Sequence, residues 1–312
     1  MRVLVTGSAG HLGDALGRTL RDHGHEVVGI DLRDGSSITD RACVRRTIAG
    51  VQSVLHTATL HKPHVVTHER QQFVDTNITG TLVLLEEAVR AGVSSFIFTS
   101  TTSVFPATGW ITEDVPPAPK NIYGVTKRAA EDLCELFHRR ERLPCLILRT
   151  SRFFPEADDD RAVREVYEDD NVKVNEYLYR RVDIEDAVSA HLQAIERAPV
   201  IGFGRYVVSA TTPFSPADVP ELRTNAPRVV RRYVPEYEAV YARLGWKMTP
   251  SIDRVYVNAK ARAELGWRPR HDFRSLIECL ATGGDSRSPL ARLVGSKGYH
   301  AETFADGPYP VG

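Results

Sequence analysis

Tyr123 and Lys127 are four residues apart in Tyr123-Gly124-Val125-Thr126-Lys127, a spacing that puts a phenol and an ammonium one turn apart on a single helix face. Upstream, Thr101 closes the apolar run Phe96-Ile97-Phe98-Thr99-Ser100-Thr101. On an exposed helix the Tyr–Lys pair would be no more than a solvated couple. Joined by the Thr101 hydroxyl in a dry site, the three groups suit the oxidation of an alcohol. A phenol with a pKa of about 10 is a poor base at neutral pH. A nearby ammonium and a positively charged hydride acceptor both favour the phenolate. A drop of roughly three units corresponds to about 4 kcal/mol, which two close cations in a dry site can supply. Tyr123 would then take the hydroxyl proton as hydride leaves the same carbon, and Thr101 would hydrogen-bond the substrate oxygen and hold it in line.

A hydride acceptor needs its own binding signature, and Thr6-Gly7-Ser8-Ala9-Gly10-His11-Leu12-Gly13 carries one in the spacing GxxGxxG. It lies between the first apolar run and the first helical pattern. Gly7 permits the tight turn, Gly10 lets backbone N–H groups approach a pyrophosphate, and Gly13 lets helix and strand pack closely. The helix N-terminus then offers unpaired N–H donors and a positive dipole end to the phosphates. Asp31, 18 residues beyond Gly13 at the end of the second strand, can accept hydrogen bonds from the adenosine ribose hydroxyls and repel a 2′-phosphate. These features mark NAD as the cofactor. Arg33, two residues on, could hold a 2′-phosphate and keeps NADP as the second choice.

Such residues need a sheet to hold them. Strands are expected over 2–5, 26–30, 53–56, 95–99 and 145–149, runs that are apolar almost throughout, as strands buried on both faces are. Between them, Leu12, Leu16 and Leu20, then Ile78, Leu82, Leu85 and Val89, then Thr126, Ala130, Leu133 and Phe137 recur at helical spacing. This alternation predicts an α/β fold with a doubly wound parallel sheet of Rossmann type. Residues 1–150 would form the dinucleotide-binding domain, with a helix over 184–198 returning to it. Residues 151–183 and 199–312 would form a smaller, interleaved substrate-binding lobe and tail. That lobe reads as an acidic loop (Glu156, Asp158, Asp159, Asp160), an extended run over 171–182, a strand over 205–209 and a Pro-rich irregular stretch over 211–227. Helices follow near 236–244, after Asn258 and near 273–281, and the tail from 283 reads as surface loop or disorder.

Composition narrows the partners. Hydrophobic residues are 42% of the 312 and charged residues 26%, an ordinary globular balance. Forty Lys and Arg against forty Asp and Glu lack the basic excess of a surface for nucleic acid or an anionic membrane. No apolar run approaches the roughly 20 residues of a membrane span, and Met1-Arg2-Val3-Leu4-Val5 is too short for a signal-peptide core. Cys43, Cys134, Cys145 and Cys279 form no CxxC pair and read as reduced thiols of a cytoplasmic protein.

Taken together, these segments resemble the extended short-chain dehydrogenase/reductases of the NAD-dependent epimerase/dehydratase group. The glycine loop is similar to that family's cofactor loop, and the resemblance adds His11 and Leu12 to its contacts. Val54-Leu55-His56-Thr57-Ala58 resembles the strand end beside the cofactor, and Asn77-Ile78-Thr79-Gly80-Thr81 the N-x-x-G-T helix, so Ala58 and Asn77 are implied as cofactor contacts. The segment from Phe98 to Phe105 resembles S-S-S-A-x-V-Y and puts the catalytic hydroxyl at Thr101; Asn121-Ile122-Tyr123-Gly124-Val125-Thr126-Lys127 resembles N-x-Y-G-x-S-K. Val182-Asp183-Ile184-Glu185-Asp186-Ala187 and Ala263-Glu264-Leu265-Gly266-Trp267-Arg268-Pro269 resemble two later motifs in family order. The resemblance implies an oxidoreductase acting on a secondary hydroxyl of a sugar or sugar-like substrate, with Thr101, Tyr123 and Lys127 as its catalytic groups. It also implies a homodimer through the helices over 77–91 and 123–140, whose outer faces include Val83 and Leu136.

Three departures bear on the substrate. Ser37 stands where the family carries an Asp for adenine. Arg152, in Arg149-Thr150-Ser151-Arg152-Phe153-Phe154-Pro155, stands where relatives acting on nucleotide sugars carry Asn, and the segment after it is short. A compact anionic substrate meeting Arg152 is therefore expected, with a UDP-sugar 4-epimerase as the alternative and a non-catalytic NAD-binding regulator as the alternative of another class. His61 and His64, in Leu60-His61-Lys62-Pro63-His64, are expected to touch substrate, and no metal site is expected there because no ligand spacing supports one.

Overall fold

The computed structural model describes residues 1–300 together with Phe304 and Gly307. Its strands are β1 (Arg2–Thr6), β2 (Glu26–Ile30), β3 (Ser53–His56), β4 (Ser95–Thr101), β5 (Gly109–Ile111), β6 (Cys145–Thr150), β7 (Phe203–Val208) and β8 (Arg254–Tyr256). Six of them form one sheet in the order β2-β1-β3-β4-β6-β7, with every neighbouring pair parallel. The chain leaves β1 for β2 on one side and crosses back to β3 on the other. That reversal opens a crevice at the C-terminal edge of the sheet, where open α/β folds bind their ligands.

Alternate side chains decide the layers. Val3 and Val5 point into a cluster with Leu12, Leu16, Ile97, Leu146, Ile184 and Val188, which packs the helices His11–Asp22 and Ile184–Ile201 on one face. Leu4, Val54, Phe96, Phe98 and Ile147 point the other way, against Val44, Leu84, Ala130 and Cys134 of the helices Arg41–Thr47, Gly80–Arg90 and Ile122–Glu141. A separate core of Val174, Leu222, Val229, Tyr241, Phe273 and Ile277 lies beyond the sheet edge, where β5 and β8 pair in parallel.

The sheet strands follow the expected runs: β2 and β3 keep the expected bounds, β1, β4 and β6 run one or two residues further at the ligand edge, and the strand expected over 205–209 is Phe203–Val208. Other expectations fail for physical reasons. The run over 171–182 is not extended: Asp169–Glu176 is a helix, steadied by the Asp169–Lys173 pair one turn apart and by burial of Val172 and Val174. The stretch over 211–227 is not irregular throughout, because Val219–Tyr233 is a helix broken only at Asn225, two residues before Pro227. In the tail, Ser288 caps a helix at Pro289–Val294, and residues past 300 other than Phe304 and Gly307 lie outside the described residues. Val83 is buried in the core and is not on an outer face, whereas Leu136 and Val125 are exposed on Ile122–Glu141. Among the described residues no helix is long and apolar enough to cross a membrane.

One buried ion pair joins the layers at the sheet edge. Glu131 of Ile122–Glu141 accepts from Arg149 of β6 through Nε at 2.9 Å and Nη2 at 2.7 Å, and from the Ser100 hydroxyl of β4 at 2.6 Å. Both charges are fully sequestered. Removing one partner of such a pair strands the other without water, so Glu131→Gln should cost about 3–5 kcal/mol in chemical denaturation. The double change Glu131→Leu with Arg149→Met should recover most of that loss. Native-like stability in Glu131→Gln would show that the pair does not clamp the layers.

Candidate functional site

The strand-to-helix turn builds an anion cradle. Gly7 has φ +67° and donates to Ile30 O at 2.7 Å, while a Cβ on Gly13 would stand 2.0 Å from Gly7 O. Gly10 occupies the N-cap without a capping side chain, so the first-turn N–H groups of His11–Asp22 face the crevice uncapped. Asp31 ends β2 with its carboxylate fixed by the N–H groups of Ala9 and Arg33, each at 2.9 Å, and lone pairs remain on both oxygens for a ribose. These residues fit a dinucleotide. The Arg33 guanidinium donates to Ala9 O and Lys297 O, each at 3.2 Å, so it is spent on carbonyls beside the ribose position. Ser37 and Thr39, whose hydroxyls bond at 2.8 Å, line the far end of the crevice.

The same crevice, a single cleft of about 640 Å³, reaches Thr101 and Tyr123. Thr101 Oγ1 accepts the Ser103 N–H at 3.1 Å, and its hydroxyl stands beside the Tyr123 phenol. Tyr123 lies in the first turn of Ile122–Glu141, which starts where it does because Asn121 accepts the Gly124 N–H at 3.0 Å. Burial pushes the Tyr123 phenol up to about 12, with the Thr101 hydroxyl beside it pulling the other way. Lys127 sits behind the cleft wall with Nζ 4.0 Å over the Phe98 ring. Burial drops its amine to about 7, against the opposing influence of Cys134 and Glu131. Burial, and not Lys127, sets the direction of the phenol here. Each group is dry and unneutralised, and each leans to its uncharged form.

The other expected residues divide. His11, Leu12 and Ala58 line the cleft; His11 stacks on Phe153 and donates from Nδ1 to Gly295 O at 3.0 Å. Asn77 does not reach the cleft. Its buried amide accepts from Thr59 and Leu60 and donates to Leu60 O and Thr126 Oγ1, all within 3.0 Å, which fastens the loop after β3 to the helix carrying Tyr123. Arg152 lines the cleft, but its guanidinium is committed to Asp158 at 2.6 Å, Asp159 at 2.9 Å and Glu176 at 2.7 Å, so no free cation awaits an anionic substrate there. Burial would raise the Glu176 carboxyl, yet Arg152, Arg180 and Arg181 hold it at about 2.

His61 and His64 both line the cleft. The His61 ring stands 6.5 Å from that of Tyr123, and burial, helped by His64, Lys127 and His300, holds its pKa well below the usual value. His64 is a structural tie: Nδ1 accepts the His61 N–H at 3.1 Å and Nε2 donates to Tyr299 O at 3.1 Å. Among the described residues no three His, Cys, Asp or Glu side chains form a group able to hold a metal ion. Sequence reasoning missed Ser103, Phe154 and the tail residues Lys297, Gly298 and Tyr299, all in the cleft wall. Ser103 had a local signal in its hydroxyl two residues past Thr101, whereas the tail had none.

A profile described as the NAD dependent epimerase/dehydratase family matches residues 3–208. The chain is 28% identical over 313 aligned positions to the low-salt glycan biosynthesis protein Agl12 of Haloferax volcanii, covering 89% of this chain and 96% of that one. It is 33% identical over 156 positions to a UDP-glucose 4-epimerase of Neisseria meningitidis, covering 42% of this chain and 46% of that one. A solved short-chain dehydrogenase/reductase superfamily protein from Agrobacterium tumefaciens with bound NAD superposes with a TM-score of 0.65 at 24% identity, covering 90% of this chain and 96% of that one.

Two outcomes are expected from the charges. In the cofactor-free protein Lys127→Met should be more stable than native by a few kcal/mol at pH 7. The unfolded chain holds the proton up to about 10.5 and the buried amine releases it near 7, so native stability rises with pH between the two and the Met advantage should shrink across that window in calorimetric melts. A constant or absent advantage would mean that Lys127 is not buried charged. Arg152→Met strips three carboxylates of a partner and should cost about 3–5 kcal/mol, with cofactor affinity little changed by titration calorimetry.

Proposed function

The chain belongs to the NAD dependent epimerase/dehydratase family, and on that premise we propose that it oxidises a secondary hydroxyl of a compact sugar or sugar-like substrate, hydride leaving the carbon that bears it, with Thr101, Tyr123 and Lys127 as the catalytic groups. The observation that carries this reading is that Thr101 and Tyr123 line the cleft that also holds the Gly10 cradle and Asp31. Bound NAD supplies the hydride acceptor. The first-turn N–H groups after Gly10 hold its pyrophosphate and Asp31 its adenosine ribose. Thr101 donates to the substrate oxygen from a hydroxyl already anchored by the Ser103 N–H. Tyr123 receives the hydroxyl proton on its phenol oxygen. Lys127, one turn deeper, supplies the positive charge that favours the phenolate once the site is loaded.

The substrate end offers hydroxyls (Thr101, Ser103, Tyr123), a neutral imidazole (His61) and aromatic faces (Phe154, Tyr299), a lining suited to a polyol ring. The anionic reading rested on Arg152 and is withdrawn, because that cation is already neutralised by three carboxylates. A UDP-sugar 4-epimerase is the second reading, favoured by the name of the Neisseria meningitidis relative. NADH accumulating with a free sugar supports a dehydrogenase, and product without net NADH supports an epimerase. A non-catalytic regulator has no need of a phenol and hydroxyl facing the cofactor cleft. A homodimer through Ile122–Glu141 uses the exposed Val125 and Leu136, and the buried reduced thiols of Cys43, Cys134 and Cys145 fit a cytoplasmic setting.

Tyr123→Phe keeps the ring and deletes the ionisable oxygen. Turnover against a panel of sugars, sugar acids and nucleotide sugars should fall about 100-fold or more, with NAD affinity nearly unchanged. Near-native turnover in Tyr123→Phe would remove the phenol from the chemistry.

A further inference from the structure

The segment from Gly295 to His300 runs along the cleft from its cofactor end to its substrate end, with Lys297, Gly298 and Tyr299 in the lining. At the cofactor end Gly295 O accepts from His11, Lys297 Nζ pairs with Asp14 at 2.8 Å, and Lys297 O accepts from Arg33. Midway, the Ser296 hydroxyl donates to Glu156 at 2.6 Å. At the substrate end Tyr299 O accepts from His64 Nε2, and His300 Nε2 donates to Pro63 O at 3.0 Å. The Tyr299 ring stands edge-on to His61 at 4.7 Å and to Phe154 at 5.9 Å, in the cleft wall that also contains Tyr123.

Two features separate this segment from ordinary surface loop. Its anchors come from both halves of the site: the first helix and the Asp31 turn on one side, the loop after β3 and the acidic segment after β6 on the other. It also anchors on Pro63 and His64 of the His61-Lys62-Pro63-His64 motif, two residues to which the proposed chemistry gives no part. His64 turns one nitrogen to its own loop and the other to the segment, so it works as a clasp. Burial holds the His64 ring at about 4, against the carbonyl of Tyr299, which favours the proton. The tautomer needed for both bonds therefore persists at neutral pH.

We propose that residues 295–300 form a strap that closes over bound NAD and completes the substrate pocket with Tyr299, so that exchange of cofactor requires the strap to lift. This rests on the reading of the cleft as a site for NAD and a sugar-like substrate. A dinucleotide lying between the Gly10 cradle and Tyr123 has the strap across its path to solvent, and Tyr299 is a wall of the substrate end only while the strap is down. One segment thereby couples retention of the cofactor to the shape of the substrate site.

The test measures release of NAD by displacement in a stopped-flow instrument. Lys297→Glu sets a carboxylate against Asp14 and Glu156, and should speed NAD release by about tenfold, the equivalent of one charge-assisted contact. Lys297→Arg should release at the native rate. Trypsin should cut the native protein after Lys297 more slowly when NAD is saturating, a readout that needs no turnover. Tyr299→Ala should raise the KM for the sugar several-fold while Tyr299→Phe does not. Equal release rates in native and Lys297→Glu, with NAD binding and turnover otherwise normal, overturn the strap alone. A native protein that neither binds NAD nor gains protection at Lys297 overturns the functional reading and the strap with it.

Discussion

The Glu131 carboxylate is the constraint on which the geometry of the cleft depends. Tyr123, Lys127 and Glu131 follow one another at four-residue steps on one helix, so whatever fixes Glu131 fixes the other two. Arg149 grips both carboxylate oxygens from β6, and Ser100, the neighbour of Thr101, donates from β4. In the sheet Ser100 pairs with Arg149 and Thr101 with Thr150, so the two strands deliver their contacts in register. An apolar contact at this point would tolerate sliding. A bidentate ion pair in a dry interior does not, because a small shift leaves a charge without water or partner. The separation of phenol and hydroxyl is thus set about two helical turns below the phenol.

The upper rim is held by uncharged hydrogen bonds. Thr6 Oγ1 accepts the N–H groups of Thr57 and Ala58, each at 3.1 Å, while His56 bridges Thr6 and Thr81. Asn77 spends its amide on the same loop and on Thr126. With the rim rigid and neutral, the titratable groups are left where chemistry needs them. Burial acts on both in the same sense, pushing the phenol up to about 12 and the amine down to about 7. Desolvation that is unfavourable to both charged forms separately becomes useful when they are formed together in a loaded, water-free site.

The sheet was legible because its signals are local. Strands buried on both faces must be apolar throughout, and helices covering them must show a 3.6-residue period, so the runs around Val3, Val54 and Phe96 announce themselves. The glycine loop was legible because a positive φ at Gly7 and a 2.0 Å approach at Gly13 admit almost no other residue. What escaped depends on contacts distant in sequence. Asn77 resembled a cofactor ligand, yet nothing near it reveals that Thr126 takes its amide. The segment 171–182 looked extended because its charges break apolar periodicity, yet one of them, Glu176, faces inward as the common partner of Arg152, Arg180 and Arg181. The tail anchors bridge more than 200 residues to His64 and Pro63, a distance over which composition carries no information.

Arg152 shows how the two scales interact. At the end of β6 it occupies the position from which a cation could reach a ligand, and on sequence alone its charge looks available. In the fold the acidic loop closes on it, with Asp159 also taking Lys62 from the loop that carries His61 and His64. The guanidinium thereby holds three segments together: the strand end, the acidic loop and, through Glu176, the helix Asp169–Glu176. A cation so neutralised adds little field to the cleft, since three carboxylates and two further arginines share the same buried volume. On the proposed function, recognition at this end would pass to groups with direction instead of charge, namely hydroxyls, a neutral imidazole and ring faces. Such groups discriminate by the placement of hydrogen bonds, and a misplaced hydroxyl leaves a buried polar atom unpaired at a cost of about 1–3 kcal/mol. On that reading the shape of the pocket, including the wall that Tyr299 brings from the tail, would weigh more in substrate choice than any single charged residue.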